Sequence, residues 1–199
     1  MVGIIDYGVG NLFSLRSSFA AIGVEAFVSG DAGELAKADR LILPGVGAFG
    51  DAAEKLRATG LDACVREQAA AGKPLMGICL GMQLLFEKSY EHGEHFGLGL
   101  LKGQVVGMSG RLPEGLKIPH MGWNALKLTK SAKLLEEGSY VYFVHSFYAE
   151  NCEDSLAAVT DYGIPITAAV ERGNIFGCQF HPEKSGNVGV AILKKFCEV

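Results

Sequence analysis

The chain has 199 residues, a formal charge of −4 and a sequence pI near 5.7. That length fits a single domain spanning 1–199, large enough to bury a core without disulfide or metal staples. There is no basic run to suggest nucleic acid, no apolar run of membrane length (RLILPGVGAFG is broken by Pro44 and three glycines) and no charged leader ahead of an apolar segment.

In chain order, VGIID (2–6) reads as a short buried strand, YGVG as a loop and Asn11 as a helix N-cap. Leu12, Leu15, Phe19 and Ile22 recur at spacings of three and four, the pattern of one buried helix face, and Gly23 closes that helix. VEAFVS is a second strand, DAGELAKA a short helix and RLILPG a third strand. A helix runs from Asp62 to Ala71 and stops at Gly72. PLMGIC is a fourth strand, and GMQLLFEKS the helix after it. Strands alternating with helices predict a mostly parallel sheet with helices on both faces.

The second half changes character. GQVVGM, WNALKL, YVYFVHSFYAE, LAAVTDY, ITAAVERG and NIFGCQF follow one another as strands, with SAKLLEE as a short helix among them. ERGNIFG reads as a hairpin turning at Gly173-Asn174, and NVGVAILKKFCEV as a closing helix. The expected fold is α/β: a parallel sheet flanked by helices, carrying an antiparallel strand extension.

The five cysteines are an odd number without metal-ligand spacing, which fits reduced thiols in a cytoplasmic protein. Cys79 stands apart. It lies between Gly77 and Gly81, where the fourth strand turns into a helix, as the nucleophile of an elbow does. A helix N-terminus favours a thiolate and offers free backbone N–H groups to an oxyanion. The competing reading is a small buried thiol in a cramped turn.

A thiol nucleophile needs a base. His92 and His95 fall in the polar loop YEHGEHFG and read as solvated; the roles of His120 and His145 stay open. His181 follows a strand directly, with Glu183 two residues on. An extended His-Pro-Glu would put both side chains on one face, where the carboxylate orients the imidazole. Alone, the pair would favour a surface turn or two metal ligands. Together with the Cys79 turn it points to a Cys-His-Glu triad, with no metal and no cofactor.

Gly77-Ile78-Cys79-Leu80-Gly81 with His181-Pro182-Glu183 resembles the triad-type, class I glutamine amidotransferases. Six segments narrow the resemblance to the glutaminase subunits of imidazole glycerol phosphate synthase. They are IDYGVGNL (5–12), LPGVGAFGDA (43–52), GICLGMQLLFE (77–87), PHMGWN (119–124), YFVHSFY (142–148) and GCQFHPEKSG (177–186).

That resemblance implies glutamine hydrolysis. Cys79 would attack the side-chain amide, and His181, oriented by Glu183, would carry the protons. Backbone N–H groups of Leu80 and of the Gly45-Val46-Gly47 loop, Val46 foremost, would hold the oxyanion. Gln83 and the backbone around Ser146 and Phe147 would hold the substrate. It also implies a (β/α)8-barrel cyclase subunit as heterodimer partner, which uses the ammonia in histidine biosynthesis. Asn11, Met121, Trp123 and Lys184 are the expected docking residues, with Lys184 directed away from the triad. Trp123, the only tryptophan, suits the core equally well. The alternatives are the glutaminase subunit of another synthase, such as that of pyridoxal phosphate, a thiol hydrolase of similar fold, or an inactive scaffold.

Overall fold

A computed structural model describes residues 1–199. Its first half alternates strands and helices: β1 (Val2–Ile5), α1 (Leu12–Ala21), β2 (Ala26–Ser29), α2 (Ala32–Leu35), β3 (Arg40–Leu43), α3 (Phe49–Ala58), α4 (Leu61–Ala70), β4 (Leu75–Ile78) and α5 (Leu80–Leu84). Short strands β5 (Lys88–Ser89), β6 (His95–Phe96) and β7 (Gln104–Gly107) follow. Then come β8 (His120–Ala125), β9 (Lys127–Leu128), β10 (Tyr140–His145), β11 (Phe147–Glu150), β12 (Leu156–Asp161), β13 (Pro165–Arg172) and β14 (Ile175–Cys178). A 3-10 turn (Pro182–Lys184) leads into α6 (Gly186–Phe196).

Eight strands form one sheet in the order β2-β1-β3-β4-β14-β13-β12-β9. The strands from β2 to β14 run parallel, and β13, β12 and β9 extend the sheet antiparallel. Strands β1 and β4 are buried along their whole length, as strands covered on both faces must be. Two apolar clusters fill the two sides. One centres on Phe49, Leu56, Val65 and Phe86, the other on Phe19, Phe143, Phe180 and Phe196.

Phe49–Ala58, outside the elements expected from the sequence, is helical; its buried Phe49, Ala52, Ala53 and Leu56 make an ordinary helix stripe. Four local expectations need correction. Helix α5 stops at Leu84 instead of continuing through GMQLLFEKS. The carbonyls of Leu84, Leu85, Phe86 and Glu87 accept from the backbone of residues 97–101, so the helix ends against a neighbouring segment and Lys88–Ser89 joins β7. SAKLLEE forms no helix. The N–H of Leu128 just before it and of Lys133 within it go to the carboxylates of Glu137 and Glu171. YVYFVHSFYAE is two strands, broken at Ser146, with β10 paired to β8 and β11 to β7. Finally, Asn11 occupies the N-cap position of α1 but its side chain makes no capping bond.

Candidate active site

Strand β4 delivers Cys79 to the end of the sheet, beside the end of β14. The Cys79 N–H donates to Cys178 O at 2.7 Å, which locks the two strand ends together. Cys79 has φ +55° and ψ −112°. A side-chain-bearing residue with positive φ costs about 1–3 kcal/mol and persists only where the surroundings impose it. Here they do. A Cβ at Gly81 would lie 1.8 Å from Leu43 O, and one at Gly77 would lie 2.6 Å from Gly81 O. Both flanking positions must therefore be glycine, as the sequence predicts. Helix α5 is one short stretch of five residues, so its contribution at Cys79 is the free N–H groups of its first turn more than a long dipole.

His181 follows β14 and is buried. Its Nδ1 lies 2.8 Å from Glu183 Oε1, and the Glu183 side chain is fully enclosed. The backbone does not achieve this by running straight. His181 is extended, but Pro182–Lys184 closes a 3-10 turn that folds the carboxylate back onto the ring. Burial alone would lower the His181 pKa; hydrogen bonds and charge from Cys79 and Glu183 outweigh it and raise the value to about 9.

Cys79 and His181 open into a cavity of about 240 Å³, smaller than the roughly 300–1,000 Å³ of drug-sized sites and suited to one small polar molecule. Val46, Gly47, Leu80, Gln83 and Phe147 line it, as expected, together with Glu91, Val144, His145 and Lys184. Gly45 sits behind the wall, packed on Leu80 and Gly81. Ser146 stands at the strand break with its carbonyl accepting from Met108 N, outside the lining. Lys184 is exposed at the cavity, not directed away from it.

Gln83 is buried. Its Nε2 donates to Phe147 O and to Gln179 Oε1, both at 3.0 Å. Gln179 in turn donates to the Cys79 sulfur at 3.8 Å. Glu91 accepts from Phe49 N at 2.7 Å through one oxygen. His145 Nδ1–H donates to Phe147 O at 2.8 Å, and burial depresses its pKa to about 3.

Reading the sequence missed Gln179, Glu91 and the placement of His145. Gln179 had a signal, since it lies two residues before His181 and so on the same strand face. Glu91 had none; it looked like one more charge in a polar loop.

These two histidines set opposite pH limits. A histidine raised to about 9 stabilises the fold fully below its ordinary 6.5, and that stability is lost as pH rises through about 9. A histidine depressed to about 3 contributes above 6.5, and its contribution is lost as pH falls toward about 3. The melting temperature should therefore peak near neutrality, and Glu183→Gln should flatten the alkaline limb. An alkaline limb unchanged in that variant would disconnect it from the His181–Glu183 pair.

The docking candidates also have places. Strands β8 and β10 form a two-stranded ribbon in which Tyr142 faces Trp123 and Val144 faces Met121. Trp123 is 53% exposed and Met121 60%, so Trp123 is not a core residue. Asn11 is half-buried at the start of α1, and Phe13, two residues on, is 83% exposed.

A strained thiol between glycines, beside a buried imidazole–carboxylate pair at the end of a doubly covered parallel sheet, is an arrangement suited to thiol-based acyl transfer. The family described as Glutamine amidotransferase class-I matches residues 3–199, and the chain belongs to it. Within that family it is similar to the imidazole glycerol phosphate synthase subunits HisH. Identity is 52% to that of Wolinella succinogenes over all of both chains, and 51% to that of Caldanaerobacter subterraneus over all of this chain and 98% of the relative. It is 49% to that of Bacillus subtilis, over all of this chain and 96% of the relative. Among solved structures, a glutamine amidotransferase crystal structure superposes with a TM-score of 0.77 at 20% identity, covering 99% of this chain and 97% of the other. PurLQS from Thermotoga maritima gives 0.77 at 22%, with the same coverage. These two bear on the fold alone. No helix is long and apolar enough to cross a membrane.

Proposed function

We propose that this chain is the glutaminase subunit of an imidazole glycerol phosphate synthase, working in the cytoplasm. The observation that carries the reading is the joint opening of Cys79 and His181 into one small cavity, in a chain about half identical to HisH subunits from end to end.

In this reading the Cys79 sulfur attacks the side-chain amide carbon of glutamine. The oxygen takes the negative charge and is held by the N–H groups of Leu80 and Val46. His181 accepts the thiol proton and returns it to the departing nitrogen, releasing ammonia and leaving a glutamyl thioester. Water, deprotonated by His181, then attacks the thioester; glutamate leaves and the thiol is restored. Glu183 keeps the imidazole oriented and stabilises its charged form. Glu91 has one oxygen committed to Phe49 N, and its other oxygen is the group in the lining suited to the substrate ammonium. Gln83 has both N–H groups committed, so it offers the substrate an acceptor.

Ammonia is a nucleophile only while unprotonated, so its consumer must be close by. The reading makes that consumer a (β/α)8-barrel cyclase docked over the β8–β10 ribbon. Asn11, Met121, Trp123 and Lys184 would be among the contacts. Exposed aromatic and Met side chains are what an interface centre favours. Val144 on the same ribbon lines the cavity, so the docking face and the site share a wall.

The test is the nitrogen source. The cyclase alone should turn its nucleotide over only with added ammonium salts, and adding this chain should let glutamine replace them. If glutamine fails to do so while ammonium still works, the pairing is refuted.

A further inference from the structure

Tyr7 is a buried titratable group beside the site that the mechanism above leaves unused. It follows β1, is 2% exposed, and its hydroxyl donates to Pro44 O at 2.7 Å. That bond joins the β1–α1 loop to the segment after β3, 37 residues on. Burial, reinforced by the nearby Cys79, keeps the phenol protonated and therefore a donor.

The surroundings show how firmly this segment is held. A Cβ added to Gly45 would meet Gly81 N at 2.8 Å, the Tyr7 hydroxyl at 2.9 Å and Leu80 Cβ at 3.0 Å. Gly45 is thus sandwiched between the phenol and the turn that follows Cys79. A Cβ at Gly10 would stand 3.0 Å from the Pro44 ring, so the loop carrying Tyr7 abuts Pro44 a second time. Beyond Gly45 the constraint ends. Val46 and Gly47 face the cavity, Val46 is 44% exposed, and a Cβ at Gly47 would touch nothing. The Pro44–Gly45 peptide is clamped, and Gly45–Val46 is the first peptide beyond the clamp.

We propose that Tyr7 is a positioning residue for glutamine hydrolysis: its hydroxyl fixes the Pro44 carbonyl, so that the Val46 N–H swings from a rigid anchor toward the oxygen of the tetrahedral intermediate. The proposal rests on the reading of Val46 as an oxyanion donor. Without the hydroxyl, Pro44 O loses its partner and the anchor loosens, while the ring of a phenylalanine still fills the space.

The test uses the full chain bound to its cyclase, as wild type, Tyr7→Phe and Cys79→Ser. Losing an oxyanion donor outright costs about 10²–10³ in kcat; loosening its anchor should cost about tenfold, with KM within about twofold. Alkylation of Cys79 by iodoacetamide displaces iodide at a saturated carbon and forms no oxyanion, so its rate in Tyr7→Phe should match wild type. An unchanged kcat, a rise in KM alone, or alkylation falling in step with kcat would each overturn the role of Tyr7. If Tyr7→Phe melts well below wild type, the alkylation rate of the folded fraction still decides. A fully active Cys79→Ser would instead remove the glutaminase reading on which the proposal stands.

Discussion

Replacing Cys79 by alanine should abolish glutaminase activity, and an electrophilic glutamine analogue should modify Cys79 and none of the other four thiols. The basis is the contrast among them. Cys64, Cys152, Cys178 and Cys197 all have their thiol pKa pushed up, with burial as the first cause, and none lines the cavity shared by Cys79 and His181. Only Cys79 combines a free sulfur, an imidazole and first-turn N–H groups of a helix. The loss in Cys79→Ala should be on the order of 10⁶ in kcat, about what removal of the whole triad costs, because residues of a triad act as a unit. His181→Ala should be nearly as damaging. Glu183→Gln should be milder, since packing still orients the ring. Peptide mapping after labelling checks the selectivity. Adduct on Cys64 or Cys197, or turnover surviving in Cys79→Ala, would dismiss Cys79 as the nucleophile.

The second large effect concerns dependence on the partner. The subunit alone should hydrolyse glutamine about 10²–10³-fold more slowly than the complex with nucleotide-loaded cyclase, the cost of one missing oxyanion donor. Val46 is the reason. Its φ is not positive, whereas Gly47 next to it has φ +93°. Turning the Gly45–Val46 peptide so that its N–H enters the site would push a β-branched residue toward positive φ, at about 1–3 kcal/mol. Docking would supply that energy, and glutamine would be consumed only when an acceptor waits. Rates for the subunit alone, with cyclase, and with cyclase plus nucleotide measure the gate directly. Val46→Gly should raise the basal rate. A subunit equally fast in all three states has no gate, and a Val46→Gly variant with an unchanged basal rate places the strain elsewhere.

How much of this was legible follows from how local each feature is. The Cys79 turn was legible because its glycines are demanded by backbone atoms within a few residues or on the adjacent strand. His181 and Glu183 were legible because they sit in one turn, though the turn is 3-10 and not extended. The break at Ser146 was not legible. Residues 140–150 form a continuous β-prone run, and only the choice of partners, β8 for one half and β7 for the other, divides it. Glu91 was missed for the same reason: what makes it a site residue is Phe49 N, at the start of a helix 42 residues earlier. SAKLLEE carries good helix formers, yet the Lys133 N–H within it goes to the carboxylate of Glu171, 38 residues on, and tertiary bonding overrides propensity.

The two halves of the proposed triad differ in one further respect, their reach along the chain. The imidazole and carboxylate meet within three consecutive residues and need only a single turn to close. The thiol comes from a strand a hundred residues earlier than the Gln179 that contacts it, and reaches the imidazole only when β4 and β14 lie side by side. Parallel pairing across such a separation forms late, because the loop must be closed before any contact rewards it. A chain emerging from the ribosome would therefore carry its acid–base pair and its thiol as strangers. The ability to split glutamine would arrive as one of the last acts of folding, after the β1–β3 half of the sheet is already in place.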